Sequence, residues 1–366
     1  MRAVVLVGGE GTRLRPLTNT VPKSLLPIAG QPFLERQLSW LAGHGVTEAV
    51  LSLGYLPDAF RAHFSDDEFD GVHLRYAVEP YPLGTAGGIR FAADSAGIDE
   101  RFVVCNGDVL TTLDLDALVR FHDVHGADAT IHLTRVEDPS AFGVVPTRDD
   151  GSVIAFVEKP PPGTAPSDWI NAGTYVLEPS VLQRIPPDLT VSIERETFPK
   201  MLDDRAGLFA LGTDDYWLDI GTPDKYLQAH IDTIAGRVGL PPLAGTAELT
   251  PGVWAAPDAH VAAKATVRAP ALLGGHTVIE DGACVENACI GRGGVVGAKA
   301  VVHDAVVLDG AHVGARARVE RSIVGVDATV GDGAGVLDCS IVGPGANVDA
   351  GTSITATRVD AASAVR

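Results

Sequence analysis

From about Val253 onward the chain keeps a six-residue beat. Val261, Val267, Leu273, Ile279 and Val285 fall six apart, and after a five-residue slip come Ile290, Val296, Val302 and Leu308. Further slips lead to Val313 and Val319, and then Val324, Val330, Val336, Val342, Val348 and Ile354 restore the beat. Small residues, mostly Gly and Ala, fill the places between. One aliphatic residue per six suits a triangular coil of three short strands, each turning one side chain inward. Roughly 18 residues then complete a turn, and about five or six turns stack. Residues 252–366 are therefore expected to form a hexapeptide-repeat parallel β-helix and not a loose Gly/Ala-rich tail.

The first 235 residues follow a different rule. Short apolar runs such as Ala3–Val7, Ala49–Leu53, Phe102–Cys105 and Ala129–Leu133 read as buried strands, while Phe33–Ala42 and Leu113–Val124 carry helical spacing. That alternation predicts βαβ units on a largely parallel sheet, whose ligands sit at the carboxyl ends of strands. Val7 running into Gly8 is one such end, and Asn106-Gly107-Asp108 is another. Residues 236–251, with Pro241-Pro242 and Pro251, read as the linker between the halves.

Charge narrows the function. A net charge of −19, with 28 cations against 47 anions, disfavours a bare nucleic-acid binder, so an anionic substrate needs a local pocket of cations or a metal. Cys105, Cys284, Cys289 and Cys339 form no Cys-x-x-Cys pair and read as buried free thiols. No run of about 18 apolar residues is present, so no membrane helix is expected, and the default location is the cytoplasm.

Against that acidic background the stretch Val5–Pro27, VLVGGEGTRLRPLTNTVPKSLLP, collects cations. Gly8, Gly9 and Gly11 after a strand let backbone N–H groups converge on an anion. Arg13 and Lys23 add charge beside that nest. The stretch is neither a Walker A loop, which needs Gly-Lys-Ser/Thr, nor a dinucleotide fingerprint, since Leu14 stands where the third glycine belongs.

The run Gly8-Gly9-Glu10-Gly11-Thr12-Arg13-Leu14-Arg15-Pro16-Leu17-Thr18, followed by Pro22-Lys23, resembles the signature of the sugar-1-phosphate nucleotidyltransferases. The resemblance continues in order through Pro82-Leu83-Gly84-Thr85-Ala86-Gly87, Asn106-Gly107-Asp108, Phe142-Gly143-Val144-Val145, Val157-Glu158-Lys159-Pro160, Asn171-Ala172-Gly173 and Trp217-Leu218-Asp219-Ile220-Gly221-Thr222-Pro223. It covers residues 1 to about 230 and is closest to the mannose-1-phosphate guanylyltransferases with a C-terminal left-handed β-helix. It implies a Rossmann-like, GT-A-like mixed sheet with helices on both faces over residues 1–235. It also implies a reaction that joins a nucleoside triphosphate to a sugar 1-phosphate and releases pyrophosphate.

Carried over residue by residue, the resemblance gives nucleotide binding to Gly8, Gly9, Gly11, Thr12, Arg13, Glu79, Gly84 and Thr85. Arg13, Lys23 and Asp108 become the catalytic set, while Arg15 reads equally well as a surface ion pair. Asp108 and Asp219 are implied to hold Mg²⁺, an ion suited to hard oxygen ligands. Lys159 is implied to grip the sugar phosphate, Glu158 and Asn171 the sugar hydroxyls, and Gly143 to let backbone approach the ring. Glu79 stands where thymidylyl- and uridylyltransferase relatives place a glutamine. An ionised carboxylate there accepts both N1–H and N2–H₂ of guanine, which favours GTP over UTP and dTTP. The sugar stays open: mannose 1-phosphate fits best, but glucose, heptose and cyclitol phosphates satisfy the same motifs.

Two other classes compete. β-Helices of this kind also build acyltransferases that use a coil histidine as base, for which His260, His276, His303 and His312 are candidates. A non-catalytic regulatory relative would be expected to lose a catalytic cation or metal carboxylate, whereas this chain keeps Arg13, Lys23, Asp108, Lys159 and Asp219. The coil then reads as an assembly or regulatory element of a homo-oligomer.

Overall fold

The computed structural model describes residues 1–239 and 243–361. It contains two compact units, one of Met1–Glu10 and Leu34–Trp217, the other of Gly11–Phe33 and Leu218–Arg366. The helices are α1 (Phe33–Gly43), α2 (Pro57–His63), α3 (Gly84–Ala96), α4 (Leu115–His125), α5 (Pro179–Leu182), α6 (Phe198–Asp203) and α7 (Pro223–Ile234).

The first unit holds a ten-stranded mixed sheet of the expected Rossmann-like kind. Its centre is parallel: Phe102–Asn106 pairs with Arg2–Leu6, that strand with Glu48–Leu53, and that one with Val72–Val78. Trp169–Leu177 joins antiparallel to Phe102–Asn106 and also to Ala129–Arg135, with an irregularity between Asn171 and Tyr175. Ala3, Val4, Val5, Val50, Val104 and Ile131 are fully buried, because strands covered on both faces need continuous apolar runs. α3 packs on the central strands through Ala86, Ile89, Ala92 and Ala93. α4 starts at Asp114, whose carboxylate accepts the Ala117 N–H at 3.0 Å, and that satisfies one of the helix's orphan donors.

The second unit is built on the coil. Parallel strands of two to eight residues stack in three columns: Val261, Ile279, Val296, Val313, Val330 and Val348 in one, Val285, Val302, Val319, Val336 and Ile354 in the next, Ile290, Val307, Val324, Val342 and Val359 in the third. Most steps are 17 residues, as from Val302 to Val319, instead of 18. The shortening arises at one corner, where Asn287 and Asp304 take left-handed backbone (φ 49° and 50°) and the side from Val302 to the next inner position is five residues long. Val307 consequently occupies the inner place that a strict beat assigns to Leu308, which stays outside the inner cluster. Val261 and Val267, in the first turn, are only partly buried.

Pro241 and Pro242, on which the linker reading leans, lie outside the described residues. The end of that segment, Ala247–Thr250, is an exposed strand paired antiparallel with Val253–Ala255. α7 packs on the strands Thr266–Leu273, Cys284–Ile290 and Val301–Val307. Residues of the 11–33 segment also anchor within this unit. Tyr226 donates to the Pro27 carbonyl at 2.6 Å, Asn19 donates to Asp360 at 3.0 Å, and Gly343 abuts Pro16 so closely that a β-carbon would stand 2.6 Å from its ring. None of the four cysteines is in a disulfide; Cys105 and Cys289 are buried, whereas Cys284 and Cys339 are half-buried.

Candidate active site

In the second unit, Gly11 has φ 60° and ψ 35°, and a β-carbon there would fall 2.9 Å from the Lys23 stem and 3.1 Å from Thr18 Cγ2. Only glycine fits both the left-handed backbone and the space. Thr18 donates to the Gly11 carbonyl at 2.9 Å, and the Leu14 N–H does so at the same distance. The turn is thereby locked, with Thr12 and Arg13 exposed on it. Gly221 brings Arg13 and Asp219 together: a β-carbon on it would meet Arg13 Nη2 at 2.6 Å and Asp219 Oδ2 at 3.2 Å. A guanidinium and a carboxylate thus share one glycine-lined corner.

In the first unit, Gly8 and Gly9 follow the strand Arg2–Leu6, and Gly9 has open space around it. Gly8 lies against the Gly54 backbone, and its virtual β-carbon would be 3.7 Å from Glu79 Oε1. Glu79 therefore borders the glycine loop. Its carboxylate already has two partners, Ser52 Oγ donating to Oε1 at 2.8 Å and the Leu83 N–H donating to Oε2 at 2.9 Å. Each oxygen keeps a second lone pair for another donor.

Gly84 and Thr85 open α3 and are committed to the chain at 189–194. Gly84 has φ 71°, and a β-carbon on it would stand 2.6 Å from the Val191 carbonyl, which caps the helix by accepting from the Ala86 and Gly87 N–H groups. Thr85 donates to Glu194 at 2.7 Å and accepts from the Ile193 N–H at 2.8 Å.

Asp108 is half-buried in the turn after Phe102–Asn106, where the Gly107 N–H donates to the Leu6 carbonyl at 2.8 Å. A side chain at 107 would collide with Val7, 2.3 Å away. Beyond it, the Thr112 N–H donates to the Tyr216 carbonyl at 3.1 Å and the Tyr216 N–H donates to Thr112 Oγ1 at 3.0 Å. Among the described residues, the group of three potential ligands with donor atoms within 4.8 Å of one another is His44, Asp114 and Asp116. It lies at the start of α4, outside the motifs, with Asp114 occupied as the helix cap.

Of the residues implied for the sugar phosphate, Gly143, Glu158 and Lys159 lie together. Gly143 pairs with Glu158 across two short strands, and its lack of a side chain admits the Phe156 ring and Glu158 Oε2 at 2.6 and 2.9 Å from the β-carbon position. Lys159 adopts φ 50°, donates its N–H to the Phe142 carbonyl at 2.9 Å and holds Nζ 3.5 Å from Glu158 Oε1. Asn171 sits at the irregularity in its strand, donating to Tyr175 Oη at 2.8 Å and accepting from the Gly173 N–H at 3.0 Å. Tyr175 is fully buried, and burial first, then the Glu194 charge, pushes its phenol well above the usual range. It stays a neutral donor and acceptor.

Sequence reasoning assigned no role to the aromatic pair Phe142 and Trp217, whose rings meet edge to face at 5.7 Å while Trp217 donates to the Ala172 carbonyl at 2.9 Å. It also passed over Arg195, 3.9 Å from Glu158. Of the coil histidines, His260 and His312 are exposed, and His276 and His303 pair with Asp258 and Asp304 at 3.0 and 3.2 Å at or near the surface. No described helix is long and apolar enough to cross a membrane.

The family model described as nucleotidyl transferase matches residues 2–236, and one described as the GMPPB C-terminal domain matches residues 286–365. The chain is 42% identical over 298 residues to the mannose-1-phosphate guanylyltransferase of Mycobacterium tuberculosis, covering 79% of this chain and 82% of that one. It is 35% identical over 297 residues to the UTP–glucose-1-phosphate uridylyltransferase of a Synechocystis strain, covering 77% and 76%. The crystal structure of HddC from Yersinia pseudotuberculosis superposes with a TM-score of 0.55 at 31% identity, over 63% of this chain and 99% of that one. With more than half of the chain matched and relatives of this identity along most of its length, the protein belongs to the nucleotidyl transferase family.

Proposed function

We propose that this enzyme transfers the guanylyl group of GTP to mannose 1-phosphate, giving GDP-mannose and pyrophosphate. The observation that carries the reading is the likeness to the Mycobacterium tuberculosis guanylyltransferase over most of both chains, supported by a carboxylate, Glu79, at the border of the glycine loop. The 35% identity to a glucose-1-phosphate uridylyltransferase favours the alternative base and sugar only weakly.

The sugar phosphate oxygen attacks the α-phosphorus in line, forming the new P–O bond as the α–β bridge breaks and pyrophosphate departs with the electron pair. No covalent protein intermediate is needed, so the protein contributes positioning and charge stabilisation. Gly8, Gly9, Gly11 and Thr12 cradle the triphosphate; Arg13 and Lys23 neutralise it and the leaving group. Glu79 reads the base, with Gly84 and Thr85 fixing the wall behind it. Lys159 holds the sugar phosphate, Glu158 and Asn171 the hydroxyls, and Gly143 admits the ring. Enzymes of this family generally use a divalent metal, and the carboxylates of Asp108 and Asp219 are the hard donors that suit Mg²⁺. When bound, it supplies charge neutralisation between the phosphates. We further propose that residues 1–235 are the catalytic domain by sequence, that the enzyme works in the cytoplasm, and that the coil supports a homo-oligomer.

The test is kcat/KM for GTP, UTP, dTTP and ATP against mannose and glucose 1-phosphates, in wild type and Glu79→Gln. GTP with mannose 1-phosphate is expected to lead, and the variant to narrow the preference by about 1–3 kcal/mol, since an amide NH₂ facing a guanine donor leaves both unpaired. A wild type that prefers dTTP or UTP would refute the reading.

A further inference from the structure

Glu158 stands between two cations. Lys159 Nζ is 3.5 Å from its Oε1, and Arg195 Nη2 is 3.9 Å from the same oxygen. One half-buried carboxylate does not need two positive charges. Both cations are more than half exposed, and a 3.9 Å approach lies beyond hydrogen-bond distance, so the guanidinium is near the site without being consumed by it.

The local backbone separates Arg195 from its acidic neighbours. Residues Ile193–Thr197 form a single π-type turn, a geometry uncommon in helices and frequent at functional sites. Glu194 is turned inward, its Oε2 accepting from Thr85 and from Ser192, each at 2.7 Å. Glu196 accepts the Ser192 N–H at 2.9 Å, and the Arg195 N–H itself donates to Ser192 Oγ at 3.2 Å. Glu194 is held by two hydroxyls and Glu196 by a backbone N–H, which leaves the arginine as the group this turn extends toward Glu158.

We infer that Arg195 is a second phosphate-binding residue, closing on the sugar 1-phosphate opposite Lys159. The inference rests on the proposed function for the chemical class of the ligand. A sugar phosphate is close to a dianion at neutral pH, and one ammonium leaves it half-neutralised. A guanidinium adds a planar fork that engages two phosphate oxygens at once. Glu158 then has two tasks, accepting a sugar hydroxyl and keeping both cations close before the phosphate arrives.

The experiment compares wild type, Arg195→Ala, Arg195→Lys and Lys159→Ala in steady-state turnover, with a calorimetric titration of mannose 1-phosphate into each protein. Arg195→Ala is expected to raise the KM for sugar 1-phosphate at least tenfold and to leave the KM for GTP within about twofold. Arg195→Lys should recover most of the loss, and the melting temperature should not move, because the side chain is exposed. An unchanged sugar-phosphate KM in an active Arg195→Ala enzyme, or a rise in the GTP KM instead, overturns the inference. Weakened calorimetric binding in Arg195→Ala, in a protein that shows no guanylyl transfer, would uphold the inference and sink the reaction. Undiminished binding in that variant would sink the inference whatever the wild type catalyses.

Discussion

Exchanging His132 for Gln should remove a large part of the protein's acid sensitivity. His132 lies in the strand Ala129–Arg135, 1% exposed, with Nε2 2.9 Å from Thr213 Oγ1 and Nδ1 buried without a hydrogen-bond partner among the described residues. Burial alone pushes its imidazole down to about 4 from an ordinary 6.5. The folded state therefore keeps the ring neutral, while the unfolded chain takes up a proton as soon as the pH drops through about 6.5. Because the unfolded state binds more protons, stability falls with pH across the window from about 6.5 to about 4 and is fully retained above it. Between about pH 7.5 and about pH 4.5 this single ring withdraws about 2.5 kcal/mol. The assay is reversible urea unfolding of wild type and His132→Gln across that range, read as the difference between the two proteins so that other titrating groups cancel. His122, whose imidazole burial also lowers, is present in both. The stability gap should close by about 2.5 kcal/mol toward the acid end. A gap that does not change with pH would refute the reasoning.

Three further outcomes are expected. Asp108→Asn and Asp219→Asn should each keep the fold and remove most turnover, since a neutral amide cannot anchor a divalent cation between phosphates; activity within a few-fold of wild type at saturating Mg²⁺ for either would break the two-carboxylate assignment. Lys159→Ala should weaken sugar 1-phosphate by about 1.5–3 kcal/mol and Arg13→Ala should mainly impair triphosphate use; initial rates with each substrate varied would exchange their roles if the pattern reversed. Val330→Asp, which sets a carboxyl where Val330 is fully buried in the coil, should cost at least about 3 kcal/mol, visible as a lowered melting temperature or changed sedimentation, and an unaltered melt would mean that the position tolerates a charge.

How far the sequence could be read depended on whether a residue's partners were near in the chain. The coil was legible because each inner valine repeats a local rule, and the slips at Ile290 and Val324 already betray five-residue sides. The similar side from Val302 to Val307 was hidden because Leu308 is also aliphatic, so an apolar count cannot tell the inner residue from its neighbour. At the site, Gly11 and Lys23 were readable from one short stretch. Glu79, Gly84 and Thr85 were readable only as motif letters: the Ser52 hydroxyl, the Val191 carbonyl and the Glu194 carboxylate that fix them stand 27, 107 and 109 residues away. Arg195 sits in a Glu-Arg-Glu run that resembles any solvated charge cluster, and only the π-type turn distinguishes it.

The grouping of residues 11–33 with the coil unit changes what the tail can be for engineering. Cutting the chain near residue 235, where the motifs run out, is expected to cost activity; it takes away Asp360 from Asn19, Gly343 from Pro16 and the strands on which α7 rests, and with them the scaffold of the segment that bears Arg13 and Lys23. The coil is therefore a poor cassette for shuffling between relatives unless Gly11–Phe33 travels with it, and chimeras that respect that pairing are the ones to build.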